Sequence, residues 1–260
     1  MTIREPAVAG MFYPAAAEHL RDQVTTFLRS AVSTMNAAPK VLIVPHAGYA
    51  YSGPVAAEAF HLLAQSADVI TRVALLGPAH RVYLEGMALP SADAFSTPLG
   101  TVTIDADAVE AVRNLPGVSI SDAAHRNEHS LEVQLPFLQC ALDGFTLLPI
   151  VVGRCPPEHV GTVIDAVWGG PETLIVVSTD LSHYLGYQDA RSVDDATRRR
   201  ILDKVTNLDG HEACGAHAVN GLMSAEHCRN MSVAAIDLRN SGDTAGMKDR
   251  VVGYGAFVMH

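Results

Sequence analysis

The chain has 260 residues, with 18 Lys+Arg against 28 Asp+Glu for a formal net charge of −10, and 48% of its residues are apolar. That length and apolar content can build a full core without disulfide or metal staples, and the acidic balance argues against gripping nucleic acid or an anionic membrane surface through charge. No apolar run approaches the roughly 18 residues that a transmembrane helix needs. The opening MTIREPAVAGMFYP, with charges of both signs and two prolines, does not read as a signal peptide. Cys140, Cys155, Cys214 and Cys228, without CxxC spacing, suit a reducing cytoplasm.

In chain order, Leu20, Val24, Phe27, Leu28 and Val32 recur at the spacing of an amphipathic helix. VLIVP (41–45) and RVALL (72–76) are short continuous apolar runs of the kind that form strands buried on both faces. Between them an alanine-rich helix is predicted from about Pro54 to Gln65. TVTID (101–105) alternates like a half-exposed strand and leads into a helix near 107–115. A helix over 130–142 follows, with Pro136 expected to kink or shorten it. FTLLPIVVG (145–153) and TLIVVS (173–178) are further core strands, separated by a helix that starts at Pro156 and Pro157. Helices near 189–205 and 213–227 precede strands at 232–238 and 251–259, whose connection is too short for a helix. Alternating strands and helices predict one α/β domain over 1–260, with a mixed, partly parallel central sheet flanked by helices.

The polar residues fall just past the strands. His46 follows 41–45, His80 follows 72–76, Asp180 and His183 follow 173–178 in STDLSHY, and Asp243 follows 232–238 in NSGD. In open α/β sheets ligands bind beyond the carboxyl ends of the strands, where such loops converge. Histidines and carboxylates gathered there are first-row metal ligands or acid/base groups. Each has a plainer reading as well: a hydrogen-bonded loop histidine, an Asp180 or Ser182 cap, or an ordinary NSGD turn. His125 and His129, in HRNEH, stand one turn apart if the segment is helical, and the order of residues is not the HExxH of zincins. His129 reads as a pocket wall or proton donor, or simply as a residue at a helix start. Cys214 lies at a predicted helix start that would lower a thiol pKa, or it is a small core residue. GxGxxG after the first strand, a Walker A sequence and a GxSxG elbow are all absent, which disfavours nucleotide-dependent and serine-esterase chemistry.

On REPAVAGMFYP, PHAGYAYSGPVAA, GPAH, FSTPLG, EHSLEVQLPFL, STDLSHY and NSGD with VVGYGA, in register from Arg4 to nearly the last residue, the chain resembles the Memo family. These are the protein B components associated with AmmeMemoRadiSam systems, structurally related to class III extradiol dioxygenases. The resemblance implies the same mixed sheet, His46 and His80 as metal ligands, and Asp243 as the third, where some relatives carry cysteine. It makes His183 the acid/base of ring cleavage, with Asp180 beside it. Two imidazoles and a carboxylate form the facial triad suited to Fe(II), whereas a thiolate would favour copper or zinc. The expectation is a non-haem iron oxidoreductase acting on a small catechol- or enediol-like substrate. The alternatives are a zinc- or manganese-dependent hydrolase or lyase and a non-enzymatic metal-binding, redox or interaction protein. A radical SAM protein and an AMMECR1-like protein are partners implied by the family alone.

Overall fold

Four of the apolar runs lie side by side as parallel strands. The computed structural model, which describes residues 1–35 and 38–260, pairs Val41–Val44 with Thr173–Ser178, that strand with Arg72–Pro78, and Arg72–Pro78 with Thr146–Val152. Side chains alternate between the two faces with period two. Leu42, Val44, Val73, Leu75, Leu147, Val151, Leu174 and Val176 enter one buried cluster, and Val41, Ile43, Ala74, Leu76, Leu148, Ile150, Ile175 and Val177 enter the other. Burial on both faces is why these strands read as unbroken apolar runs. Helices Ala17–Ser30, Tyr49–Phe60 and Leu135–Ala141 cover the first face, and Pro157–Ala166 and Ala216–Ser224 cover the second.

The margins of the sheet are antiparallel. Val251–Met259 pairs antiparallel with Val41–Val44 and with Val233–Asn240, and Met87–Leu89 pairs antiparallel with Thr146–Val152. The fold is therefore α/β with a mixed central sheet flanked by helices. A separate three-stranded sheet joins Ile3–Arg4, Ala94–Thr97 and Gly100–Thr103, and it takes up the predicted 101–105 strand.

Several boundaries differ from expectation for identifiable reasons. The helix expected from Pro54 begins at Tyr49, because Tyr51 and Ser52 donate to Gly48 O and close a first turn ahead of the proline. Pro136 does not kink a helix. It sits at the start of Leu135–Ala141, where its missing N–H is not needed. The HRNEH helix stops at Arg126, so His125 and His129 share no helical face. Short strands at Met87–Leu89, Val118–Ile120 and His183–Leu185 lack the length that makes a periodic signal. Among the described residues no helix is long and apolar enough to cross a membrane.

Candidate metal centre

The parallel strands end together at Val44, Pro78, Val152 and Ser178, and the loops beyond them carry the chemistry. His46 is 1% exposed. Its Nδ1 lies 2.8 Å from Ser178 Oγ. That hydroxyl also lies 2.7 Å from Ser130 O and receives Gln134 Nε2 at 2.8 Å. A carbonyl can only accept, so the single hydroxyl proton points at Ser130 and His46 Nδ1 must carry its own proton. The lone pair of the ring is thereby assigned to Nε2. Burial, reinforced by the neighbouring His80, His129 and His183, holds the His46 pKa well below the usual imidazole value, so the ring is neutral.

His80 is fixed by Glu128. Its backbone N–H donates to Oε2 at 2.6 Å and its ring Nδ1 lies 2.9 Å from Oε1. Burial alone would raise the Glu128 pKa, but the hydrogen bonds from His80 and Ser130 and the His80 ring outweigh it and hold the pKa at about 2. An ionised carboxylate only accepts, so His80 Nδ1 donates to it and Nε2 is the ring nitrogen left for another partner. The same carboxylate receives the backbone N–H groups of His129 and Ser130, each at 2.9 Å.

His129 completes a group of three. Its ring stacks on His80 with centroids 4.7 Å apart and stands edge-on to His46 at 5.4 Å. One donor atom from each of His46, His80 and His129 lies within 4.8 Å of the others, an arrangement that could hold a metal ion. His129 Nδ1 is buried and makes no hydrogen bond, and burial lowers the pKa of the ring to about 4. The loop bearing His129 is held by the chain's fourth residue. The buried Arg4 guanidinium pairs with the Glu132 carboxylate and donates to His125 O and Glu128 O. Glu132, itself fully buried, also accepts from Tyr13 Oη and from the backbone of Ala7 and Val8.

The cluster opens on a cavity of about 1260 Å³ whose lining includes Asp180, His183, Tyr184, Cys214 and Arg250. Asp180 does not orient His183. Its Oδ1 accepts the His46 backbone N–H at 2.7 Å, and burial pushes its pKa up to about 7. His183 is half-buried on the wall, and burial lowers its pKa. The residue after it, Tyr184, adopts φ 60°, in the left-handed region that non-glycine residues seldom occupy, and stands 64% exposed beside Arg250.

The structure sets Asp243 apart from His46 and His80. Ser241–Asp243 is a short 3-10 turn in which Asp243 folds back on its own cap. Oδ2 accepts Asn240 N–H at 3.0 Å and Oδ1 accepts from Tyr187 Oη. Asp243 is exposed beside a different, smaller cavity next to Arg191, and His129 stands third in the cluster. His125 lies apart as well, with Nε2 2.9 Å from Ala88 O. The Cys214 pKa is not lowered, since burial and Asp180 push it up to about 12. Glu128 and Ser178, which set the two tautomers, were overlooked in the sequence. The only signal for Glu128 was a glutamate immediately before His129 in HRNEH.

A mixed α/β sheet that gathers three histidines beyond the carboxyl ends of its parallel strands defines a protein with a candidate metal centre. The chain belongs to the Memo family, for a profile described as Memo-like protein matches residues 4–258. It is 36% identical over 270 residues to a MEMO1 family protein of Aquifex aeolicus, covering 98% of each chain. It is 33% identical over 276 residues to a MEMO1 family protein of Metallosphaera sedula, covering 96% of this chain and 97% of that one. The crystal structure of the uncharacterized protein JW3007 from Escherichia coli K12 is similar with a TM-score of 0.51 at 10% identity, over 83% of this chain and 98% of that chain, a likeness of fold.

Proposed function

We propose that this Memo family protein is a metal-dependent enzyme in which His46, His80 and His129 hold a first-row divalent ion and His183 moves protons for a small, oxygen-rich substrate. The observation that carries the reading is the pair of assigned tautomers. Ser178 and Glu128 each accept a hydrogen bond from the Nδ1–H of a histidine and leave Nε2 to bind, the arrangement by which outer hydrogen bonds orient metal-ligating imidazoles. His129, whose buried Nδ1 makes no hydrogen bond but lies 3.3 Å from Glu128 Oε1, adds a third imidazole. Three imidazole donors suit a first-row ion.

Such an ion supplies a Lewis acid and, as Fe(II), a centre for reaction with O₂. The protein's own groups do the rest. Glu128 and Ser178 keep His80 and His46 in place, and Asp180 anchors the His46 backbone. His183, whose pKa is lowered by burial, is neutral near pH 7 and suited to accept a hydroxyl proton from the substrate and return it. The cavity of about 1260 Å³ gives a substrate room beside the cluster, which favours an enzyme over a storage or docking protein. The first activity to test is oxygen-dependent opening of a catechol- or enediol-like compound, following the resemblance to extradiol dioxygenases. Hydrolase or lyase chemistry with zinc is a second reading, favoured by a donor set of three imidazoles and no carboxylate, which catalytic zinc also uses.

The test is to load the protein anaerobically with Fe(II) and separately with Zn(II), and to assay O₂ uptake with catechols and hydrolysis of esters. Binding near one ion per chain, lost in His46→Ala, with turnover of one substrate class, is the expected result. Ion binding unchanged in His46→Ala overturns the site, and tight binding without turnover of either class overturns the enzyme.

A further inference from the structure

Cys214 lies in the turn before helix Ala216–Ser224 and lines the same cavity. Its Sγ is 3.2 Å from His46 Nε2. Because the Ser178 contact places the lone pair on that nitrogen, the thiol is the donor in this contact, with Asp180 O at 3.6 Å as its other acceptor, and the sulfur borders the position that an ion on Nε2 would take. The sulfur is held there from behind, with the Asp180 backbone N–H donating to it at 3.2 Å.

Two donors on one tetrahedral ion, nitrogen at about 2.0 Å and sulfur at about 2.3 Å, stand about 3.5 Å apart. The sulfur therefore already sits within a few tenths of an ångström of a co-ligand's distance from His46. The three histidine donors lie within 4.8 Å of one another, and the sulfur, close to His46 but outside that group, has to shift toward His80 and His129 to share their ion. From this geometry we infer that Cys214 is a fourth donor to the ion held by His46, His80 and His129. The thiol releases its proton to solvent as the sulfur binds as thiolate, with no change of oxidation state. The inference rests on the three-histidine reading of the site. A thiolate beside imidazoles shifts preference toward zinc, cobalt and copper and away from magnesium and manganese, and it does so without the residue at position 243.

The experiment is anaerobic titration of the purified, full-length protein with Co(II), followed by absorption spectroscopy. Visible d–d bands report imidazole-bound cobalt, and an intense near-ultraviolet charge-transfer band reports a cobalt–thiolate bond. The expected result is both sets of bands in the wild type and in Cys140→Ser, with only the charge-transfer band lost in Cys214→Ser. Cobalt affinity in Cys214→Ser should fall by at least about 100-fold, the upper range for losing even an outer-shell partner. Visible bands without charge transfer in the wild type overturn the inference and leave the three-histidine site standing. No cobalt uptake by the wild type overturns both. If Cys214→Ser does not fold, alkylation of the wild type with iodoacetamide, mapped by peptide mass spectrometry, decides. Cobalt must suppress labelling of Cys214, and equal labelling with and without the metal overturns the inference.

Discussion

Glu128 grips His80 at two points at once, one carboxylate oxygen on the backbone N–H and the other on the ring Nδ1–H. The ring is thus fixed in orientation and in tautomer by one side chain. Glu128→Gln keeps the size but offers a single acceptor, and its amide N–H₂ would face a donor. Metal affinity, measured by competition against a chromophoric chelator, should fall about 10- to 100-fold. An unchanged affinity would show that His80 does not depend on Glu128 to bind.

Asp243 and His129 exchange places relative to the ligand set that the family resemblance implies, and the exchange has a direct readout. Asp243 is turned toward Tyr187 and Asn240, whereas His129 belongs to the histidine cluster. Asp243→Ala should leave the affinity for Zn(II) within about twofold of the wild type, and His129→Ala should lower it more than Glu128→Gln does, beyond about 100-fold. The reverse order of effects would return Asp243 to the centre.

His125 gives the pH dependence of stability. It is 2% exposed, Nε2 donates to Ala88 O, and burial lowers its pKa to about 4 from an ordinary 6.5. Between those values the unfolded chain binds the proton and the folded one does not, so stability rises with pH through that window. On acidification the His125 contribution is lost progressively from pH 6.5 downward and levels off near pH 4. The full span is worth about 3 kcal/mol. His125→Asn keeps a donor for Ala88 but does not titrate. Its unfolding free energy in urea should therefore depend less steeply on pH than that of the wild type, and parallel curves would refute the assignment.

Gly221 shows where a general propensity is reversed by packing. Replacing a helical glycine by alanine ordinarily adds about 1 kcal/mol. Here a Cβ on Gly221 would lie 2.2 Å from Val160 Cβ and 2.3 Å from its Cγ1, because the Val160 side chain of helix Pro157–Ala166 is seated directly on the bare Gly221 of helix Ala216–Ser224. Gly221→Ala should lower stability by about 1–3 kcal/mol, the usual range for overpacking, read as a lower denaturation midpoint. Adding Val160→Ala should restore part of the loss, and no recovery in the double variant would place the strain elsewhere.

The core strands were legible because burial on both faces leaves an unbroken apolar run, and TLIVVS matches its strand residue for residue. His46 and His80 were legible because each directly follows such a strand. His129 was harder, since no strand leads into it. Its position depends on Arg4 reaching Glu132, 128 residues away in the chain, and on the Glu128 carboxylate, which gathers the backbone N–H groups of His80, His129 and Ser130 from two loops. Asp243 shows the opposite limit. Its place after Val233–Asn240 was readable, but the direction of its carboxylate was decided by a local capping box that spacing cannot reveal. Cys214 was visible as a helix-start cysteine, whereas its approach to His46 depends on tertiary packing.

The Ser178 contact that sets the His46 tautomer spans 132 residues, and this separation orders events during biosynthesis. The imidazole leaves the ribosome well before the hydroxyl that will direct it, with both nitrogens free to carry the proton. Pairing of Val41–Val44 with Thr173–Ser178 brings the two together, against the entropy of closing so long a loop. On the proposed reading, a His46 with its lone pair fixed on Nε2 is therefore a property of the paired strands and not of the isolated segment.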